Sequence, residues 1–158
     1  GITASVPVAI YAQAMGIGRE RLLRAVALAD LVTVHQKAGI GCLSAFCGAT
    51  CAGCGAGAGI AYLLGGDYKA VAHTIVNALA VVSGMVCDGA KPSCAAKISS
   101  AIDAGILGYE LYCRGQEFLD GDGIIRKGVD NTIGNVGRMA RSGMRETDRV
   151  IPDIMCGC

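Results

Sequence analysis

Nine cysteines in 158 residues are the side chains of this sequence best suited to chemistry. Their spacing sorts them. Four of them, Cys42, Cys47, Cys51 and Cys54, fall in an uncharged run over 38–66 made largely of glycine and alanine. Two more, Cys87 and Cys94, bracket the segment Asp88-Gly89-Ala90-Lys91-Pro92-Ser93. Thiols at this density, beside so few aromatic residues, point to a soft-metal or cluster site.

Three readings of these thiols compete. Cys47-x3-Cys51-x2-Cys54 has the spacing by which radical S-adenosylmethionine enzymes hold three cluster thiolates. That motif belongs in a loop after a barrel strand, and no strand pattern precedes it here. On a helix, positions i, i+4 and i+7 share one face, so the same spacing describes a helical stripe. Zinc is the second reading, with thiols joined by His35 or His73 in a tetrahedral set. No Cys-x2-Cys recurs at a suitable distance, and a lone histidine on an apolar helix, such as His73, is ordinarily a core residue. The third reading rests on the Cys87–Cys94 loop. Pro92 starts a helix, whose N-terminal dipole and free N–H groups favour a thiolate, and Lys91 adds positive charge. Two thiolates from this loop and one from a packed helix would hold three irons of a cubane, leaving the fourth open to substrate as a Lewis acid. Against this, Cys42, Cys51, Cys54 and Cys113 read as small buried hydrophobes. Cys156 and Cys158 carry no assigned role.

The elements that must position these residues are helices. The pattern places them at about Pro7–Met15, Arg19–Lys37, Cys42–Leu64, Tyr68–Val86, Pro92–Cys113, Lys127–Arg141 and Glu146–Met155. Thr3 or Ser5 is the expected cap of the first, Asp67 of the fourth, and Gly65-Gly66 the stop of the third. The third helix reads as buried on all sides, its glycines allowing close approach. A membrane span is the weaker reading of 38–66, because the run has few large aliphatic residues to face lipid. No stretch alternates at period two for long enough to predict a strand. The expected fold is all-α: one compact helical domain over residues 1–158, with a buried Gly/Ala-rich central helix.

Composition narrows the function classes. Fourteen basic residues balance thirteen acidic ones, with no basic stripe, so nucleic-acid binding is not expected. An odd cysteine count without a leading signal-peptide pattern suits reduced thiols in the cytoplasm better than a secreted disulfide scaffold. The start at Gly1 suggests part of something larger. The rival from another class is a non-catalytic helical assembly or membrane-associated domain with inert core thiols.

Several strings together resemble one family. They are Gly1-Ile2-Thr3-Ala4-Ser5-Val6-Pro7, Leu43-Ser44-Ala45-Phe46-Cys47-Gly48, Tyr62-Leu63-Leu64-Gly65-Gly66-Asp67-Tyr68, and Cys87-Asp88-Gly89-Ala90-Lys91-Pro92-Ser93-Cys94. Asn135-Val136-Gly137-Arg138 and Gly143-Met144 continue the match. Over essentially its whole length the chain resembles the C-terminal portion of the iron–sulfur L-cysteine desulfidases, relatives of the iron–sulfur L-serine dehydratase alpha chains. Cys42 departs from the pattern, standing where a basic residue is expected.

The resemblance implies an oxygen-sensitive lyase that uses a 4Fe–4S cluster and no pyridoxal phosphate. It would catalyse β-elimination from L-cysteine to pyruvate, ammonia and sulfide, or from L-serine without sulfide. It implies Cys47, Cys87 and Cys94 as cluster ligands, the cluster being prone to loss in air. The family's catalytic base is a cysteine upstream of the matched region, so no catalytic residue is assigned in this chain. The partners implied are a small amino-acid substrate, the remaining N-terminal part of the enzyme and, as a homodimer, a second copy. Four residues are candidate substrate contacts. Thr3 and Ser5 at a helix start would receive the carboxylate, with plain capping as the alternative. Asp88 would orient the loop or meet the ammonium group. Lys91 would lower thiolate pKa values or contact substrate, with a solvated loop lysine as the alternative. Lys37 and Lys97 read as surface or helix-end charges.

Overall fold

The computed structural model of the chain describes residues 1–157. Seven α-helices follow one another: α1 Ile2–Ala14, α2 Arg19–Ile40, α3 Gly48–Leu63, α4 Tyr68–Val82, α5 Pro92–Cys113, α6 Val129–Arg138 and α7 Thr147–Cys156. A short π-helical turn, Met139–Gly143, extends α6. Among the described residues, the extended pairing is one isolated antiparallel bridge, Phe46 to Val86. The all-α architecture expected from the sequence is what the chain adopts.

Helix α3 is the axle. It packs against α1, α2, α4 and α5, and every residue from Thr50 to Ala61 is buried. The glycines at every second position make this possible. At 100° per residue, Gly53 and Gly57 share one face while Gly55 and Gly59 share the opposite one. A Cβ on Gly53 would lie 2.2 Å from the carbonyl oxygen of Ala101 in α5. One on Gly55 would lie 2.2 Å from Thr33 Oγ1 in α2. Backbone thus meets backbone on both flanks, and two neighbours close on α3 at distances no larger side chain allows. Around it, Ile40, Phe46, Leu79, Ile133 and Val136 form one apolar core, and Val8, Ala25, Ile60 and Leu63 a second.

Several boundaries differ from the sequence pattern. Helix α1 starts at Ile2, because the Gly1 carbonyl already accepts from Ala4 N–H at 3.0 Å and Ser5 N–H at 2.9 Å. Thr3 and Ser5 therefore lie inside its first turns and cap nothing, and Pro7 is interior. Helix α3 starts at Gly48, six residues later than Cys42, since Phe46 is drawn into extended pairing with Val86. The same pairing ends α4 at Val82 instead of Val86. Asp67 does cap α4, its Oδ1 accepting from Ala70 N–H at 2.9 Å. No helix among the described residues is long and apolar enough to cross a membrane.

Candidate metal centre

The close contacts of α3 and α5 fix their relative direction. Gly53 meets Ala101 and Gly57 meets Gly105, so both indices rise together and the helices run parallel. Carried back along α3, that register sets Cys47 level with Ala95, next to Cys94. Cys47 caps α3, and Cys94 is the third residue of α5. Two helix N-termini therefore stand side by side with a cysteine at each, where dipoles and unpaired N–H groups favour negative charge.

The third thiol is brought in by the extended pair. Cys47 N–H donates to the Met85 carbonyl at 3.0 Å, and Cys87 N–H donates to the Ala45 carbonyl at 2.6 Å. These two bonds flank the Phe46–Val86 bridge and tie the Cys87 strand to the entrance of α3. Gly89 then turns the chain with a φ of +89°, a conformation open to glycine at little strain, and Lys91 ends the loop as the N-cap of α5. Ser44 Oγ accepts from Phe46 N–H at 3.1 Å, and Asp148 Oδ1 of α7 accepts from Ala45 N–H.

Cys47 is 3 % exposed, whereas Cys87 and Cys94 are half-buried. Burial pushes the Cys47 thiol up, the Ala49 N–H offsets part of that, and the charges of Cys87 and Cys94 push it further. Lys97 pulls it down. The three thiols thus feel one another electrostatically. Yet no trio of His, Cys, Asp or Glu side chains among the described residues is gathered tightly enough for a single metal ion. A cubane places each thiolate on a different iron, so its ligands stand apart. An all-thiol donor set beside helix N-termini suits such a cluster, and the residues present fit it.

The other sequence candidates separate from this centre. His35 Nε2 pairs with Asp130 at 2.9 Å, and His73 Nδ1 stands 3.2 Å from Glu117 Oε2 without a hydrogen bond while its ring stacks on Tyr112. Neither joins a thiol group. Cys51 and Cys54 are interior residues of α3, 1 % and 0 % exposed, so the radical-enzyme spacing is a helix stripe. Burial raises the Cys51 thiol to about 11 and pushes Cys54 higher still. Cys42 and Cys113 correct the expectation of burial: both are exposed, Cys42 in the turn after α2 and Cys113 at the last residue of α5. Cys156, at the end of α7, is exposed, and Cys158 lies outside the described residues.

Of the substrate candidates, Asp88 pairs with Lys97, Nζ donating to Oδ1. That bond, helped by backbone N–H and the charges of Lys97 and Lys91, holds the Asp88 carboxyl below its usual value. Lys91 is exposed. Ser5 Oγ donates to the Gly1 carbonyl at 3.0 Å, and Thr3 is half-buried. A cavity of about 360 Å³ opens on Cys87, walled by Leu43, Ser44, Ala45, Asp148, Ile151 and Pro152. Neither Thr3 nor Ser5 borders it. A cavity of about 500 Å³ between α4 and the 118–129 segment has no cysteine in its wall and stands apart from the thiols. Lys97, read from the sequence as a surface or helix-end charge, is instead paired with Asp88 beside Cys87. Its signal was spacing: it lies three residues after Cys94, on the same helical face.

Fold and site together define a class: an all-helical domain that gathers the thiols of two segments at the common end of two parallel helices. A family model described as serine dehydratase alpha chain matches residues 1–152, and the chain belongs to that family. Among its relatives, a UPF0597 protein of Desulfitobacterium hafniense is 61% identical over 155 residues, covering 98% of this chain and 36% of that protein. Those of Lachnoclostridium phytofermentans and Treponema denticola are 49% and 47% identical, each over 98% of this chain. The chain spans little more than a third of these relatives, 37% and 36% of the latter two. No solved structure matches the chain.

Proposed function

We propose that this chain is the C-terminal, cluster-holding part of a cytoplasmic 4Fe–4S amino-acid lyase that needs no pyridoxal phosphate. Its reaction is β-elimination from L-cysteine, giving pyruvate, ammonia and sulfide. The observation that carries this is the parallel register of α3 and α5, which sets Cys47 and Cys94 at one end of the bundle with Cys87 tied alongside. Cys47, Cys87 and Cys94 would hold the cluster, and the cluster supplies Lewis-acid assistance to the departing thiol or hydroxyl.

The chain's own residues prepare that chemistry. Leu43, Ile151 and Pro152 give the open cavity beside Cys87 its apolar surface. The cavity there has the size for a small amino acid, with Asp148 and Ser44 as its polar groups. The N-terminal N–H groups of α1, beside Thr3 and Ser5, offer a place for a carboxylate, and Asp88 and Lys91 are the polar contacts of the Cys87 arm. The base that takes the substrate Cα proton belongs to the rest of the enzyme, which together with the substrate and a second copy completes the assembly. L-Serine is the second reading, favoured by the family's description.

Assay of the complete protein under strict anaerobiosis tests this. Sulfide and pyruvate formed in equal amounts from L-cysteine are expected. Pyruvate from L-serine alone would assign the dehydratase reaction, and no keto acid from either would end the lyase reading.

A further inference from the structure

We propose that Lys97 is the positioning residue of the thiol site, locking the Cys87 arm onto the helix that carries Cys94. This rests on the reading of Cys47, Cys87 and Cys94 as ligands of one group. The geometry is direct. Lys97 follows Cys94 by three residues, so one face of α5 presents both. Its Nζ donates to Oδ1 of Asp88, the residue after Cys87. One ion pair therefore joins the second thiol-bearing segment to the third.

The pair is not an ordinary surface contact. The Lys97 side chain is 23% exposed, against 48% for Asp88 and more than half for both partners of the Arg24–Glu20 pair. Shielding of this kind raises the worth of a charge contact above that of a solvated pair. The ammonium also acts beyond its partner. Bound to Asp88, it is held next to the Cys87 arm and one helical turn from Cys94. Lys91, the more obvious candidate in the sequence, behaves differently: it is exposed, and its charge is felt at Asp88.

The chemistry explains why a lysine here matters. Three thiolates gathered at one point repel one another, and a soft-metal site forms only when they are deprotonated together. A cation paired beside Cys87 and one turn from Cys94 lowers that repulsion. It also neutralises Asp88, whose carboxylate would otherwise sit beside Cys87 as a fourth negative charge. Removing Lys97 therefore turns Asp88 from a strut into a repulsive neighbour. That consequence separates the proposal from a packing role.

The test uses the complete protein, reconstituted anaerobically with iron and sulfide and then challenged with a chelator. Lys97→Met is expected to weaken iron retention by about 10–100-fold, the usual cost of removing an outer partner of a metal ligand. Lys97→Arg keeps the charge and restores most of it. Asp88→Asn with Lys97→Met falls between wild type and Lys97→Met, because the repulsive carboxylate is gone. Equal retention in wild type and Lys97→Met overturns the proposal, as does a double variant no better than the single one. A second readout needs no metal: hydrogen exchange of the Cys87–Ala90 amides in the iron-free protein quickens severalfold in Lys97→Met. Wild type that takes up no iron defeats the ligand reading itself. Lys97 is then judged on exchange alone, and unchanged exchange refutes it.

Discussion

Cysteines one helical turn apart on α3 live in different chemical worlds. Cys51 and Cys54 are enclosed by Ile40, Phe46, Leu79 and Ile133, and burial, with a smaller push from a neighbouring cysteine, raises their pKa values, Cys51 to about 11. Cys47 is as deeply buried, but it caps the helix and meets Cys87, Cys94 and Lys97. Solvent exposure therefore does not by itself distinguish Cys47 from a packing thiol. What distinguishes them is position along the helix: mid-helix N–H groups are consumed by the ladder, whereas those at the N-terminus remain free to stabilise an anion. Residue type supplied the same atom in both places, and the backbone decided its use.

This contrast is breakable, and thiol labelling is where it is largest. In the native, metal-free protein at pH 8, Cys87 and Cys94 are expected to react well ahead of Cys51. Cys51 should lag by about a hundredfold or more, since a pKa of about 11 against an ordinary 9.0 leaves about a hundredth as much thiolate at pH 8 and burial slows access further. Residue-resolved mass spectrometry checks this; early labelling of Cys51 would erase the distinction.

Next in size is the packing of α3. Gly53→Val should cost about 3 kcal/mol or more, because even a Cβ would stand 2.2 Å from the Ala101 carbonyl oxygen. At the first residue of the same helix, Gly48→Ala meets nothing within 4 Å and should change stability by at most about 0.5 kcal/mol. Denaturant unfolding of the pair measures the difference directly.

A smaller, pH-dependent effect follows from the buried thiol. The fold holds the Cys51 proton to about 11 against an ordinary 9.0, so its contribution to stability is whole below pH 9 and is lost as pH rises through 11. The decline should approach about 1.4 kcal/mol per pH unit in that window, and Cys51→Ala should flatten its share of it. A decline untouched by that variant would place the cause elsewhere.

Much of this arrangement was legible in the residues. Arg19 and Pro92 start α2 and α5 where the pattern put them, since glycine before one and proline within the other are local signals. The buried, close-packed character of α3 also followed from its glycines. Its true start did not, because Phe46 leaves the helical pattern only to pair with Val86, forty residues away in sequence, and no local preference encodes that. Cys42 was expected in the core for the same reason: a helix begun too early drew it inside. Thr3 and Ser5 looked like caps, but the Gly1 carbonyl opens the helix ahead of them. For the site, the thiols on either side of Pro92 stood out at once, while Lys97 was concealed by its likeness to any helix-surface lysine. Its partner, Asp88, is reached through the turn at Gly89, and only the folded chain joins them.

The most direct test of the three-thiol centre is iron bound per chain after anaerobic reconstitution, read with the visible absorption of the cluster. Wild type should take up about four irons. Cys47→Ala, Cys87→Ala and Cys94→Ala should each lose them, while Cys51→Ala and Cys54→Ala keep them. Full iron content in any of the first three, or its loss in the last two with the fold intact, would contradict the assignment.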